Sequence, residues 1–534
     1  MVIVSSLLPA SPAITQTQST ARIFNVREFG ARGDNQTDDA QAIQTAIKAA
    51  SAIGGDVVIP NGRYLLRSSL NINAKNIRLR GDGFTSQLFF ENPSGIAEGI
   101  SVTGATDVRI SNLRVTGSNV PTLSRGIFIT SSSHVTLDHV WESGAKLPPQ
   151  SGPLVGIGSA RSTDIWITNC DVSDNGYTTG LDVLNDSYDI VNYSGITSSI
   201  HFNHDHVHDS LTAFSIQLID ANDSEATDND IDQNNKLGTN HAASGYGLTA
   251  YGSTRTIANI HFERNSINNT AGCGIYAVAV DHLVLTDNSV QLAAQKQIRN
   301  SLPVAGIALN EVNDGAITGG VVIRSSQVGI EIANGSRNVI KGVTITSPVS
   351  DGVKFAATSD LTISRATIER AGGQGIYAPV GSTESNINIV ENVITMPSGQ
   401  GIYLDMVKDS TVANNTIVSA AAKALLVTNP GTARLKVTGN IIKGVPANQT
   451  GIVIYGSNHL IDKNAVSGAS SRDSIGIDTN NATSDSVISN NVVSGFGVGI
   501  FGQGSQRNEI RSNRLAGNSV PLNTSPTTRS VDNH

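Results

Sequence analysis

The feature that most constrains this chain is a repeat. An Asn followed by a short apolar strand recurs at Asn265, Asn288, Asn392, Asn415, Asn440, Asn464, Asn491 and Asn513, and neighbouring units are separated by 22 to 27 residues. Gly-led strands beginning at Gly274, Gly306, Gly329, Gly352, Gly375, Gly401, Gly451 and Gly476 keep pace with the Asn series. Each unit holds two or three short strands and tight turns, too little to bury its own apolar residues, so units must stack and share a core. Asn tolerates the left-handed turn geometry and can bond from coil to coil through stacked amides. The expected fold class is therefore all-β: a right-handed parallel β-helix of about 16 coils between residues 98 and 516. Composition agrees, since 52 glycines, 4% aromatic and 15% charged residues suit thin core layers with no room for many large rings.

The front of the chain breaks this pattern. Thr37, Asp38 and Asp39 offer N-capping oxygens, and Ala42, Ile43, Ala46, Ile47 and Ala50 form an apolar stripe at helical spacing that ends at Gly54 and Gly55. A capping helix is expected there, because the first layer of a solenoid would otherwise expose the core. The domain reading is a flexible leader or signal remnant over 1–22, a cap with the first strands over 23–97, the helix over 98–516 and a polar, disordered tail over 517–534. Insertions at 143–152, 184–199, 221–246 and 291–303 make the stretch before residue 306 irregular, and irregular loops on a rigid scaffold are where binding and chemistry concentrate.

Charge and cysteines narrow the class further. A net charge of −8 gives no basic footprint for nucleic acid. No apolar run is long enough to span a membrane. Cys170 and Cys273 fall about four layers, roughly 19 Å, apart, so they are read as buried free thiols.

The segments FGARGDNQTDDAQAIQTAI and GGDVVIPNGRYLL resemble the opening of the pectate-lyase-like superfamily of β-helix proteins. Polygalacturonase-type hydrolases, mannuronan C5-epimerases and phage tailspike depolymerases share that opening. The resemblance implies the fold and, through it, a secreted protein acting on an acidic or complex polysaccharide. The NTD, DD, GHG and RIK motifs of polygalacturonases are absent from the coils. The segment nearest the epimerase DPHE motif, GLDVLND at 180–186, keeps Asp182 but lacks the His.

Outward positions of the Gly-led strands line up as a polar and aromatic stripe. It includes Gln217, Tyr251, Tyr276, Asn310, Glu331 and Lys354, with Arg255 and Trp141 nearby, and these residues are the candidate glycan contacts. Asp182 and Asp220 are the candidate carboxyl pair, and His206 and Tyr251 the candidate proton carriers. The segment HFNHDHVHD at 201–209 sends His204, His206 and His208 to one face if it is a regular strand, which invites a metal reading. That reading needs a further ligand from a neighbouring coil, and no HExxH or CxxC motif supports it, so no metal ligand or cofactor is assigned. Calcium between Asp182 and Asp220 has no loop motif behind it either. The expected function is an extracellular glycoside hydrolase, monomeric or trimeric. The alternatives are a lyase or C5-epimerase on uronate polymers, and a non-catalytic adhesin or tailspike.

Overall fold

The computed structural model describes residues 22–534 except 119–122, 148–153, 178–186, 194–196, 211, 234–244, 296–302, 470 and 481–482. It is a parallel β-solenoid of about 17 turns with one α-helix. A regular coil has three strands, as in Val328–Ala333, Val339–Lys341 and Thr344–Thr346. These strands belong to three sheets that run the length of the molecule, here called first, second and third in the order the chain visits them. Each strand pairs in parallel with its counterpart one coil on: Ile307 sits on Ile330, Ile330 on Val353, and Val353 on Ile376. Such aliphatic stacks form one continuous core.

The helix α1 spans Ala40–Ser51 and buries Ala40, Ile43, Ala46, Ile47 and Ala50 against the first coils. Its entry differs from the expected cap. Asp39 makes no capping bond and instead accepts hydrogen bonds from the Arg32 and Gly33 amides at 2.7 and 2.9 Å, closing the preceding turn. Asp38 takes the Ala40 amide at 3.2 Å.

The Asn series is a ladder on the turn between the second and third sheets. Asn440 donates through Nδ2 to the Val412 carbonyl at 2.9 Å and to Asn464 Oδ1 at 2.9 Å, while its own Oδ1 accepts from Asn415. The ladder corrects the reading of the tail. Asn513 Nδ2 donates to Asn533 Oδ1 at 2.9 Å, and strands Val520–Thr524 and Arg529–Val531 pair with Val498–Gly502 and Glu509–Arg511. The stack therefore runs past 516 to the last residues, because the tail repeats the strand–turn–strand rhythm with polar side chains. Both cysteines are buried and free. No helix of the described residues is long and apolar enough to cross a membrane.

Candidate functional site

The third sheet carries the densest chemistry. Its strands are three residues long in the irregular stretch, with the middle residue inward and the outer two facing out: Asp171–Ser173, His206–His208 and Asp230–Asp232. Register places Arg114, Trp141, Asp171, His206, Asp230 and Ser266 in one row along the helix axis. At about 4.8 Å per strand, the row brings an aromatic ring, two carboxyls and an imidazole within three strand steps.

Asp171 is the hub. Its Oδ2 lies 3.2 Å from His206 Nδ1 and its Oδ1 lies 3.4 Å from His208 Nε2. With Nδ1 facing a carboxylate, the His206 ring presents Nε2 outward, 3.9 Å from Asp230 Oδ2. An imidazole oriented through Nδ1 with Nε2 free is the arrangement that makes His a general base. Asp230 is 60% exposed on its side chain, which leaves it open to a solvent-borne group. His208 is fixed on its other side by Asp209 Oδ2 at 2.9 Å. Partial burial pulls the His208 pKa down, but the hydrogen bond to Asp209 and the charge of Asp171 outweigh it and raise the pKa above the ordinary imidazole range. Asp171, His206 and His208 are also the group whose ligand atoms could hold a metal ion.

An aromatic platform borders this array. Trp141 meets Phe84 edge-on with ring centroids 5.6 Å apart, and the Arg114 guanidinium lies over the Phe84 ring at 4.4 Å. Phe84 is 50% exposed, so its ring is open to solvent beside Trp141.

Acids also lie beneath the row. Glu142, between Trp141 and Ser143, points inward and is fully buried; Asn175 Nδ2 donates to its Oε2 at 2.8 Å, and Oε1 has no hydrogen-bond partner among the described residues. Burial pushes its pKa well above the ordinary carboxylate value. Asp189 accepts from Thr212 at 2.9 Å and from Asn175 at 3.3 Å, and burial raises its pKa to about 7. A Cβ at Gly126 or Gly156 would collide with the Glu142 carboxyl, so those two glycines make its room.

The residues expected from sequence fall in different places. Asp182 lies outside the described residues. Asp220, Tyr251 and Arg255 meet at one turn. There Asp220 accepts from Ser253 N at 2.8 Å, Ser253 Oγ at 2.7 Å and Thr254 Oγ1 at 3.1 Å, and the Arg255 guanidinium binds its carbonyl at 3.2 Å. Burial alone would raise the Asp220 pKa, but the Ser253 and Thr254 bonds hold it below the ordinary carboxylate value. That carboxyl closes a turn. Tyr251 is 39% exposed beside it. The stripe on the first sheet is interrupted: Gln217 and Tyr276 are buried, whereas Asn310, Glu331 and Lys354 are half-buried. Lys354 Nζ bonds Glu331 Oε1 at 2.7 Å, and Asn310 accepts from Asn334 at 2.8 Å.

His206 and Trp141 join the third-sheet row, whereas His204 does not. A positive φ of 59° at His204 turns the chain, sends Asp205 inward and leaves His204 beside Asp228 at 3.7 Å. Regular alternation was the wrong premise for that segment. Asp171 and Asp230 were missed: the step between coils would have aligned Asp230, 24 residues on, with His206, but Asp171 lies 35 residues back across an insertion. Trp166 belongs to the second sheet, stacked on His201 at 3.7 Å and lining a depression of about 440 Å³ with Arg78, Arg109 and His134.

A capped parallel solenoid of three-stranded coils defines the class of right-handed β-helix proteins. The family described as "Rhamnogalacturonase A/epimerase, pectate lyase-like" matches residues 23–206, and "Right handed beta helix region" matches 283–417 and 423–533. The chain belongs to the right-handed β-helix superfamily, with a pectate-lyase-like opening. It is 57% identical over 42 residues to alginate lyase 7 of Azotobacter vinelandii, 8% of this chain and 5% of that protein. It is 32% identical over 159 residues to depolymerase 1, capsule K3-specific, of Klebsiella phage KP32, 25% of this chain and 18% of that protein. Tailspike protein 3 of bacteriophage CBA120 shares the fold at a TM-score of 0.56 with 12% identity, covering 78% of this chain and 61% of that one. The chain thus spans well under two thirds of the curated relatives it matches here.

Proposed function

We propose that this protein is an extracellular polysaccharide-degrading enzyme, a glycoside hydrolase that takes its substrate along the outer face of the third sheet. The observation that carries the reading is the exposed Asp171–His206–Asp230 array beside the Trp141–Phe84–Arg114 platform. Asp230 donates a proton to the glycosidic oxygen. His206, oriented by Asp171, draws a proton from water through Nε2. Trp141 and the exposed edge of Phe84 offer apolar ring surface to a sugar, and Arg114 a cation for an acidic substituent. Matches to proteins named as an alginate lyase and a capsule-specific depolymerase support a polysaccharide as the substrate class.

The test is a screen of the purified protein against uronic-acid and neutral polysaccharides, following reducing ends and the ultraviolet absorbance of unsaturated uronate. New reducing ends without that absorbance are expected. Absorbance rising with the reducing ends would replace hydrolysis by elimination, and neither signal on any polymer would remove the enzymatic reading.

A further inference from the structure

We propose that Asp171, His206 and His208 bind one divalent transition-metal ion of the zinc class. His206 and His208 are two residues apart on one short strand, so both imidazoles leave the same face, with ring centroids 4.2 Å apart and planes 19° from parallel. Asp171 supplies the third group from the neighbouring coil, where it stands in register with His206. Its two oxygens are approached by different rings, one by His206 Nδ1 at 3.2 Å and the other by His208 Nε2 at 3.4 Å. The three ligand atoms all lie within 4.8 Å of one another, so small side-chain rotations bring them to the roughly 2.0–2.2 Å that zinc requires of N and O ligands.

The surroundings suit an ion as well. Metal-binding imidazoles usually donate their second nitrogen to a carboxylate, which fixes the ring and strengthens the ligand. Asp209 stands in that relation to His208, with Oδ2 at 2.9 Å from Nδ1. Two imidazoles and one carboxylate, with the solvent side open, select zinc, cobalt, nickel or ferrous ions over calcium and magnesium, which prefer all-oxygen shells. Asp230 is left outside the ligand set, facing the far nitrogen of His206 at 3.9 Å. The site shares Asp171 and His206 with the proposed acid–base array, yet it stands or falls on metal uptake alone, whether or not a polysaccharide is cleaved.

The experiment uses the full chain, stripped with a chelator and titrated with Zn²⁺ by calorimetry and with Co²⁺ by visible absorption. One Zn²⁺ per chain is expected, with affinity at least tenfold lower in His208→Ala and Asp171→Asn and unchanged in Tyr377→Ala, on the first sheet far along the helix. Protection of His206 and His208 from diethylpyrocarbonate by Zn²⁺, read by mass spectrometry on the unaltered protein, gives the same answer if a variant fails to fold. Absence of saturable uptake, equal affinity in the ligand variants, or failure of Zn²⁺ to protect the two histidines would overturn the site. Calcium binding there more tightly than zinc would overturn the ion class.

Discussion

The two halves of this solenoid share a lattice and fill it differently. From Asn392 to Asn513 the turn between second and third sheets is an unbroken column of buried amides, each bonded to the next, and the half-buried Asn533 extends it. In the irregular half the same column contains Cys170 and Asp205: the Cys170 amide donates to Asp205 Oδ1 at 2.8 Å, and Asp205 N in turn donates to Asn229 Oδ1 at 2.9 Å. The small position of the first sheet is Gly306, Gly329, Gly352 and Gly375 in the regular half, whereas in the other Asp189 and Ser215 interrupt the glycines between Gly156 and Gly247. A core position filled by Val172, Val207 and Ile231 is Glu142 one coil earlier. Acids in a dry core cost stability unless paired and hydrogen-bonded. They lie directly beneath the third-sheet row, and Asp205 is the immediate neighbour of His206. The stretch that spends stability is also the one that gathers chemistry, as expected where function competes with packing.

That contrast can be broken from either side. The largest effect is expected in the regular half. Asn440→Ala removes bonds to Val412, Asn415 and Asn464 and leaves buried partners unsatisfied, for a loss of about 3 kcal/mol in chemical denaturation. An unchanged midpoint would show that the ladder does not hold the coils together.

The second prediction concerns pH. Burial raises both the Glu142 and Asp189 pKa values, the latter to about 7, above the unfolded value of about 4. In that window the folded state keeps a proton that the unfolded chain has lost, so these two acids cost nothing below about pH 4 and destabilise the fold progressively as pH rises toward 7. The slope for one proton is about 1.4 kcal/mol per pH unit. The double variant Glu142→Gln with Asp189→Asn should flatten it, and a slope unaltered by the pair would assign the pH dependence elsewhere.

A smaller gain is expected from repairing the column. Asp205 Oδ2 is buried with no hydrogen-bond partner among the described residues, and burial drives its pKa well up. Asp205→Asn supplies an amide like that of Asn229, which donates to the Phe202 carbonyl at 2.8 Å, and should stabilise the protein by about 1 kcal/mol at neutral pH. Loss of stability would mean that the carboxyl is itself required. The smallest effect belongs to the exposed clamps of the regular half. Arg434 grips Asp409 with two bonds on the surface, and Arg434→Ala should leave the melting temperature unchanged, since exposed pairs contribute little.

Much of the fold was legible because a coil is short and its punctuation is chemical. The Gly and Asn steps marked the coils, and the Ala–Ile stripe marked the cap. What escaped was the register across unequal insertions. Asp171 pairs with His206 across 35 residues and His206 with Asp230 across 24, and a three-residue strand is too short to show its alternation. Tyr276 was read as exposed because a strand pattern cannot show what lies on the sheet's outer face; it packs with Tyr246, Ala305 and Val328 in a small satellite cluster. Of the expected site residues, His206 and Trp141 join the row, and Asp220 is taken up by its turn.

The central claim is that chemistry sits on the third sheet of the irregular half. It is tested most directly by measuring polysaccharide cleavage in Asp230→Asn beside Tyr377→Ala, which alters a half-buried ring on the first sheet of the regular half. Loss of general acid catalysis should slow Asp230→Asn about 100-fold or more while Tyr377→Ala retains most of its rate. Full activity in Asp230→Asn, with cleavage lost in Tyr377→Ala, would contradict the assignment and move the substrate to the other face.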